Sequence, residues 1–88
     1  MSWASRVDRI DHNSPEPLWE QIRDDLLADL DSGDLPPGSR LPSEQALCED
    51  VYGVSRPTLR RAIAALVEQG RLTVVHGKGT YVAAQSGA

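Results

Sequence analysis

The sequence predicts a mainly α-helical domain that ends in a small β-hairpin, and three observations carry the prediction. Apolar residues recur at helical spacing in three stretches between Leu18 and Val67, and glycine, proline or serine punctuates the ends of each stretch. After Gly70 the period shortens to that of strands, in LTVVH and TYV on either side of Gly77-Lys78-Gly79. Eighty-eight residues with 40% apolar content suffice for one such domain around one core, and leave little room for an enclosed substrate cavity beside it.

Before Pro15 the chain is polar without a clear period, so residues 1–14 are expected as a flexible arm, with no place assigned to Trp3 and with His12 on a surface loop. Leu18, Ile22, Leu26, Leu27 and Leu30 form the first helical stripe, and Trp19 flanks it at the core or its edge. Asp24, Asp25 and Asp29 fall mainly on the other side and, with Asp31 and Asp34, read as a solvated acidic face. Ser32-Gly33 stops this helix. Leu35-Pro36-Pro37-Gly38 then reads as a turn and Arg40-Leu41-Pro42 as an extended link, because residues before proline avoid helical geometry.

Ser43 is a natural N-cap for the second helix, with Glu44 just inside its positive end and Leu47 and Val51 supplying its buried side. Cys48 is expected at the core or its edge. Gly53 ends this helix, and Tyr52-Gly53-Val54-Ser55 reads as a short connection. Ser55 caps the third helix, and Pro57 sits in its first turn, where an amide hydrogen would lack an intrahelical partner anyway. Leu59, Ile63, Leu66 and Val67 form its apolar stripe, and Gly70 marks its end. The hairpin follows with Lys78 at its tip; residues 84–88 are expected as a disordered tail, and residues 15–83 as the folded domain.

Composition narrows the chemistry. Cys48 is the only cysteine, so no intramolecular disulfide forms, and two histidines give no ligand cluster at zinc spacing. No nucleophile–base pair is visible, no metal or cofactor is expected, and the chain is read as a non-enzyme. The start has no apolar core of signal-peptide length, and no stretch approaches the roughly 20 apolar residues of a membrane span, so a reducing cytoplasm is the expected location. The net charge of −4 conceals a split: residues 1–34 hold three arginines against nine carboxylates, whereas residues 35–88 hold six basic residues against four acidic ones. A polyanionic partner therefore remains open, because the potential of the contacting face decides binding.

The basic residues concentrate in GVSRPTLRRAI, where Arg56, Arg60 and Arg61 fall within six positions at the start of the third helix. Two helices joined by a tight glycine-containing turn, the second basic at its N-terminus, constitute a helix-turn-helix, and the hairpin after them makes it winged. The positive end of the third helix suits a phosphate, Ser55 and Thr58 offer hydroxyl donors, and an arginine fork matches O6 and N7 of guanine in the major groove. Arg61 points away from the apolar stripe and is read either as a DNA contact or as a solvated charge. Gly77-Lys78-Gly79 is read as a wing tip at the minor groove, against the alternative of a plain turn.

PLWEQIRDDL, SGDLPPGSRLPSEQAL, YGVSRPTLRRAIAALVEQG and HGKGTYV, in this order from about Ile10 to Val82, resemble the DNA-binding domain of GntR-family bacterial transcription regulators. The resemblance implies a winged helix-turn-helix, with the helix at about 55–69 in the major groove and the wing at about 72–83 at the minor groove. It implies a sequence-specific regulator, expected as a repressor, that binds a palindromic double-stranded operator, normally as a homodimer. Carried over by position, it assigns DNA contacts to Arg56 and Arg60, a phosphate contact to Thr58, and the beginning of the wing to His76 and Gly77, followed by Lys78. Arg40, Ser43, Ser55, Pro57 and Arg61 complete the expected interface. Gln45 departs from the family pattern, which often has arginine there; glutamine keeps hydrogen bonding to a phosphate or an adenine edge but brings no charge. The family's C-terminal effector-binding domain, which also dimerises, is absent from these 88 residues. The rival reading from another class is a protein-interaction module that keeps the fold without binding DNA, motivated by the net acidity and by Gln45.

Overall fold

In the computed structural model, which describes residues 3–84, three helices stack against one another and a hairpin closes one side. A single 3-10 turn, Val7–Arg9, precedes helix α1, Leu18–Ser32. Pro17 enters α1 with φ of −57°, and Gly33 leaves it at φ of 86°, a conformation that only glycine adopts without strain. Ile22, Leu26 and Leu30, four apart, form its buried edge. They meet Leu59, Ala62 and Leu66 of helix α3, Arg56–Glu68, and this α1–α3 contact is the centre of the core. Removing a side chain as deeply buried as Leu66 costs about 2–5 kcal/mol, so this seam largely sets the stability of the domain.

Helix α2 opens as an α-helical turn, Glu44–Ala46, and continues directly as a wider π-type turn, Leu47–Tyr52. The wider turn brings Leu47, Cys48, Val51 and Tyr52 all into the core. Tyr52 therefore belongs to the helix and not to the connection that its neighbour Gly53 suggests. Its ring is fully buried, and its hydroxyl donates to Asp25 Oδ2 at 2.7 Å. Gly53 ends α2 at φ of 65°, where its amide reaches the carbonyl of Cys48.

Strands β1, Leu72–Val75, and β2, Gly79–Val82, pair antiparallel with Leu72 opposite Val82 and Val75 opposite Gly79. Their turn is closed by the Lys78 amide on the carbonyl of Val75 at 3.0 Å, with Gly77 at φ of 76°. The link before α2 is more than extended. Arg40 bridges to Tyr81, the Leu41 amide donates to the Thr80 carbonyl at 2.9 Å, and the Val82 amide donates to the Ser39 carbonyl at 2.8 Å. This short segment thus lies as a third rung along β2, and the proline that forbids helix at Leu41 leaves its amide free for the pairing.

The segment before Pro15, expected as a flexible arm, is docked from Trp3 onward. The Arg6 amide donates to the Val51 carbonyl at 2.6 Å, and Ile10 is buried in the core. The Arg6 guanidinium bonds Asp25 at 2.9 Å, pairs with Asp29, and lies 4.4 Å from the centroid of the Trp3 ring. Arg9 adds a second bond to Asp25 at 3.1 Å. Asp25 and Asp29 are therefore not part of a solvated acidic face: at 15% and 13% side-chain exposure they are held by Arg6. A polar segment with no period can dock by charge as well as by apolar contact, which is why periodicity misses it. Of the tail expected over residues 84–88, Ala84 is exposed and the remainder lies outside the described residues. Among the described residues no helix is long and apolar enough to cross a membrane.

Candidate nucleic-acid interface

The candidate interface begins at the cap of α3. Ser55 Oγ accepts from the Thr58 amide at 3.4 Å and lies 2.9 Å from the Thr58 hydroxyl, so this serine and threonine hold the first turn between them. Pro57 fixes the backbone where no donor is missed. The first residues of α3 are thereby set without using Arg56 or Arg60, whose side chains remain 57% and 65% exposed.

One carboxylate faces them. Glu44 Oε2 accepts from Arg60 Nε at 2.8 Å, and Glu44 Oε1 lies 3.8 Å from Arg56 Nε. The Arg60 hydrogen bond holds the Glu44 carboxyl below its ordinary value, and in return Glu44 raises the Arg60 guanidinium above its own. Glu44 stands where it does because Ser43, whose Oγ accepts from the Ala46 amide at 3.1 Å, fixes the start of α2. Beside it, the exposed Gln45 donates to Glu49 Oε2 at 3.2 Å along its own helix.

The wing approaches the same corner. Arg40, Ser43, Glu44, His76, Gly77 and Lys78 line one open groove, and Glu44 and Arg60 line a second groove of about 470 Å³ between α3 and the hairpin. Arg40 lies across Gly79: a Cβ built on that glycine would come within 3.1 Å of Arg40 Nε, and the glycine stands at φ of 134°. The close approach and the backbone conformation both call for glycine there.

Of the twelve residues singled out in the sequence, eleven are exposed and Thr58 is half-buried. The structure gathers Arg40, Ser43, Arg60 and the wing tip along two grooves that share Glu44, and Arg56 faces the same carboxylate. Arg61 is set apart: its guanidinium lies 4.5 Å from the centroid of Trp19 on α1, which Arg23 also approaches at 5.2 Å. Reading the sequence missed Glu44 as the partner of these arginines, for the pair is 16 residues apart and joins two helices whose crossing no local pattern announces. The only sequence signal was its place one residue inside the α2 cap. Cys48 is buried, and burial pushes its thiol up, away from the reactive thiolate. Among the described residues no cluster of three or more His, Cys, Asp or Glu could hold a metal.

Residues 18–82 match the family model described as bacterial regulatory proteins, gntR family. The chain belongs to the GntR family. It is 46% identical over 67 residues to the mannosyl-D-glycerate transport/metabolism system repressor MngR of Escherichia coli, covering 76% of this chain and 28% of that protein. It is 40% identical over 73 residues to the HTH-type transcriptional repressor NagR of Bacillus subtilis, covering 83% and 30%. The chain thus spans less than a third of the length of these relatives. Among solved structures, the AraR DNA-binding domain in complex with operator ORE1 superposes with a TM-score of 0.74 at 35% identity, over 84% of this chain and 89% of that one. The fold is the winged helix of these GntR DNA-binding domains.

Proposed function

We propose that this chain binds double-stranded DNA sequence-specifically and represses transcription by occupying an operator, with α3 in the major groove and the wing at the minor groove. The observation that carries the reading is the pair of exposed guanidinium groups, Arg56 and Arg60, on a capped helix start beside a wing tipped with Lys78. Arg60, and Arg56 beside it, read base edges; Ser55, Thr58, Ser43 and Gln45 bind the backbone; Arg40, His76, Gly77 and Lys78 serve the wing side. The operator is palindromic and bound by two copies in the cytoplasm, and this winged helix is the unit that reads it. The solved likeness of an operator-bound AraR domain supports this reading.

Selection of duplexes from a random pool tests it directly. A palindrome with half-sites one helical turn apart or less is expected, and its affinity should fall steeply with salt, at about −0.9 in log–log slope per neutralised phosphate. A pool that returns no enriched sequence at low salt overturns the reading in favour of a protein-interaction module.

A further inference from the structure

A carboxylate at the centre of a face that reads polyanions works against any phosphate that approaches, yet Glu44 lines both grooves of this one. Its bonding shows what it supplies in return. Arg60 gives Glu44 its Nε hydrogen at 2.8 Å, and among the described residues that guanidinium makes no other hydrogen bond. Both terminal amino groups are left as donors. An arginine tethered by Nε has lost much of its rotamer freedom while keeping the terminal fork that matches O6 and N7 of guanine. Phosphates respond to charge and carry no sequence, whereas a base edge demands placement. Arg56, 3.8 Å from the same carboxylate, shares the neutralising charge.

We propose that Glu44 is a specificity-determining positioning residue, which holds Arg60 with its terminal fork free for a base edge and suppresses attachment of the α3 start to arbitrary phosphates. This rests on the reading of Arg60 as a base contact. Two effects follow that a purely structural ion pair does not produce. Removing the charge of Glu44 strengthens binding to unrelated DNA, and removing the tether weakens discrimination.

The probes are a duplex that the chain recovers from a random pool and a shuffled duplex of the same composition, each titrated between about 50 and 200 mM salt. In Glu44→Gln, binding to the shuffled duplex should tighten severalfold, its log–log salt slope should steepen by up to about 1, and the ratio between the two duplexes should fall about tenfold. Glu44→Asp keeps the charge but withdraws it by one methylene; its ratio should fall while the salt slope stays. In an Arg60→Ala background neither substitution should change the ratio. Unchanged ratio and slope in Glu44→Gln, or in Glu44→Asp an unchanged ratio, overturn the role of Glu44, as does a change that persists without Arg60. The DNA reading fails separately: no enrichment from the pool, or Arg60→Ala with an unaltered ratio, removes the reading of α3 and the proposal with it. A collapsed ratio in Arg60→Ala beside a silent Glu44→Gln removes only the proposal. Thermal melting of each variant separates these outcomes from loss of the fold.

Discussion

Two arginine–carboxylate groupings, one at each end of α2, use the same chemistry to different ends. At the proposed reading face Arg60 and Glu44 meet at 2.8 Å with the arginine 65% exposed, whereas Arg6 meets Asp25 at 2.9 Å with both side chains at 15%. The distances are nearly equal; the surroundings are not. An exposed pair gains little from its Coulomb attraction and is screened by salt, so its worth lies in placing a side chain for a partner. A half-buried pair has already lost water, and breaking it leaves Asp29 without its partner and Asp25 with only Tyr52 and Arg9. The N-terminal grouping also carries Tyr52, Arg9 and Trp3, so a change there reaches the core.

The comparison is broken most forcefully at Arg6. Arg6→Ala strands Asp29, takes one of three donors from Asp25 and should cost about 2–4 kcal/mol in urea unfolding, with DNA selectivity altered only as far as the fold is lost. Arg60→Ala is its converse. The unfolding midpoint should stay within error, while affinity for the selected duplex should fall roughly ten- to a hundredfold, base-selectively. Tyr52→Phe removes one charge-assisted hydrogen bond and leaves the ring, so about 1.5–2 kcal/mol should be lost in the same urea titration.

Acid sharpens the distinction. Burial pushes the Asp25 carboxyl up, but the hydrogen bonds from Tyr52, Arg6 and Arg9 outweigh it and hold the carboxyl below its ordinary value of 3.8. The unfolded chain then takes up the proton first. This stabilisation is complete above the ordinary value and is lost as pH falls below about 3.8 toward the folded value, and Arg6→Ala should flatten that loss in pH-dependent unfolding. The smallest effect is expected at Trp19. Replacing it by leucine removes the surface on which Arg61 and Arg23 rest, costs about 0.5–1 kcal/mol beyond lost packing, and leaves base preference unchanged.

The sequence made the three helices and the hairpin legible because each is written locally. Ser43 and Ser55 cap, Gly33 and Gly53 stop, and the apolar stripes repeat at the helical period. Arg56 and Arg60 were legible for the same reason, being placed by a cap within five residues of them. Contacts between distant residues left no such mark. Nothing near Arg6 announces Asp25, nineteen positions away, and nothing near Glu44 announces Arg60. Tyr52 was hidden by its neighbour Gly53, whose turn signal stops the helix one residue later than the connection suggested. Arg61 was ambiguous by helical angle alone, and only the packing of α1 shows that Trp19 lies beneath it.

The rung formed by Ser39 and Leu41 along β2 has a consequence for how the two proposed DNA contacts, α3 and the wing, act together. Those backbone bonds join the hairpin to the residues that lead straight into the Ser43 cap of α2, whose Glu44 in turn holds Arg60 of α3, so the hairpin and the front of α3 are tied through the start of α2 rather than hinged. The pitch between them is then a property of the fold: inserting or deleting even one base pair between the two contact points should cost the chain one of its holds.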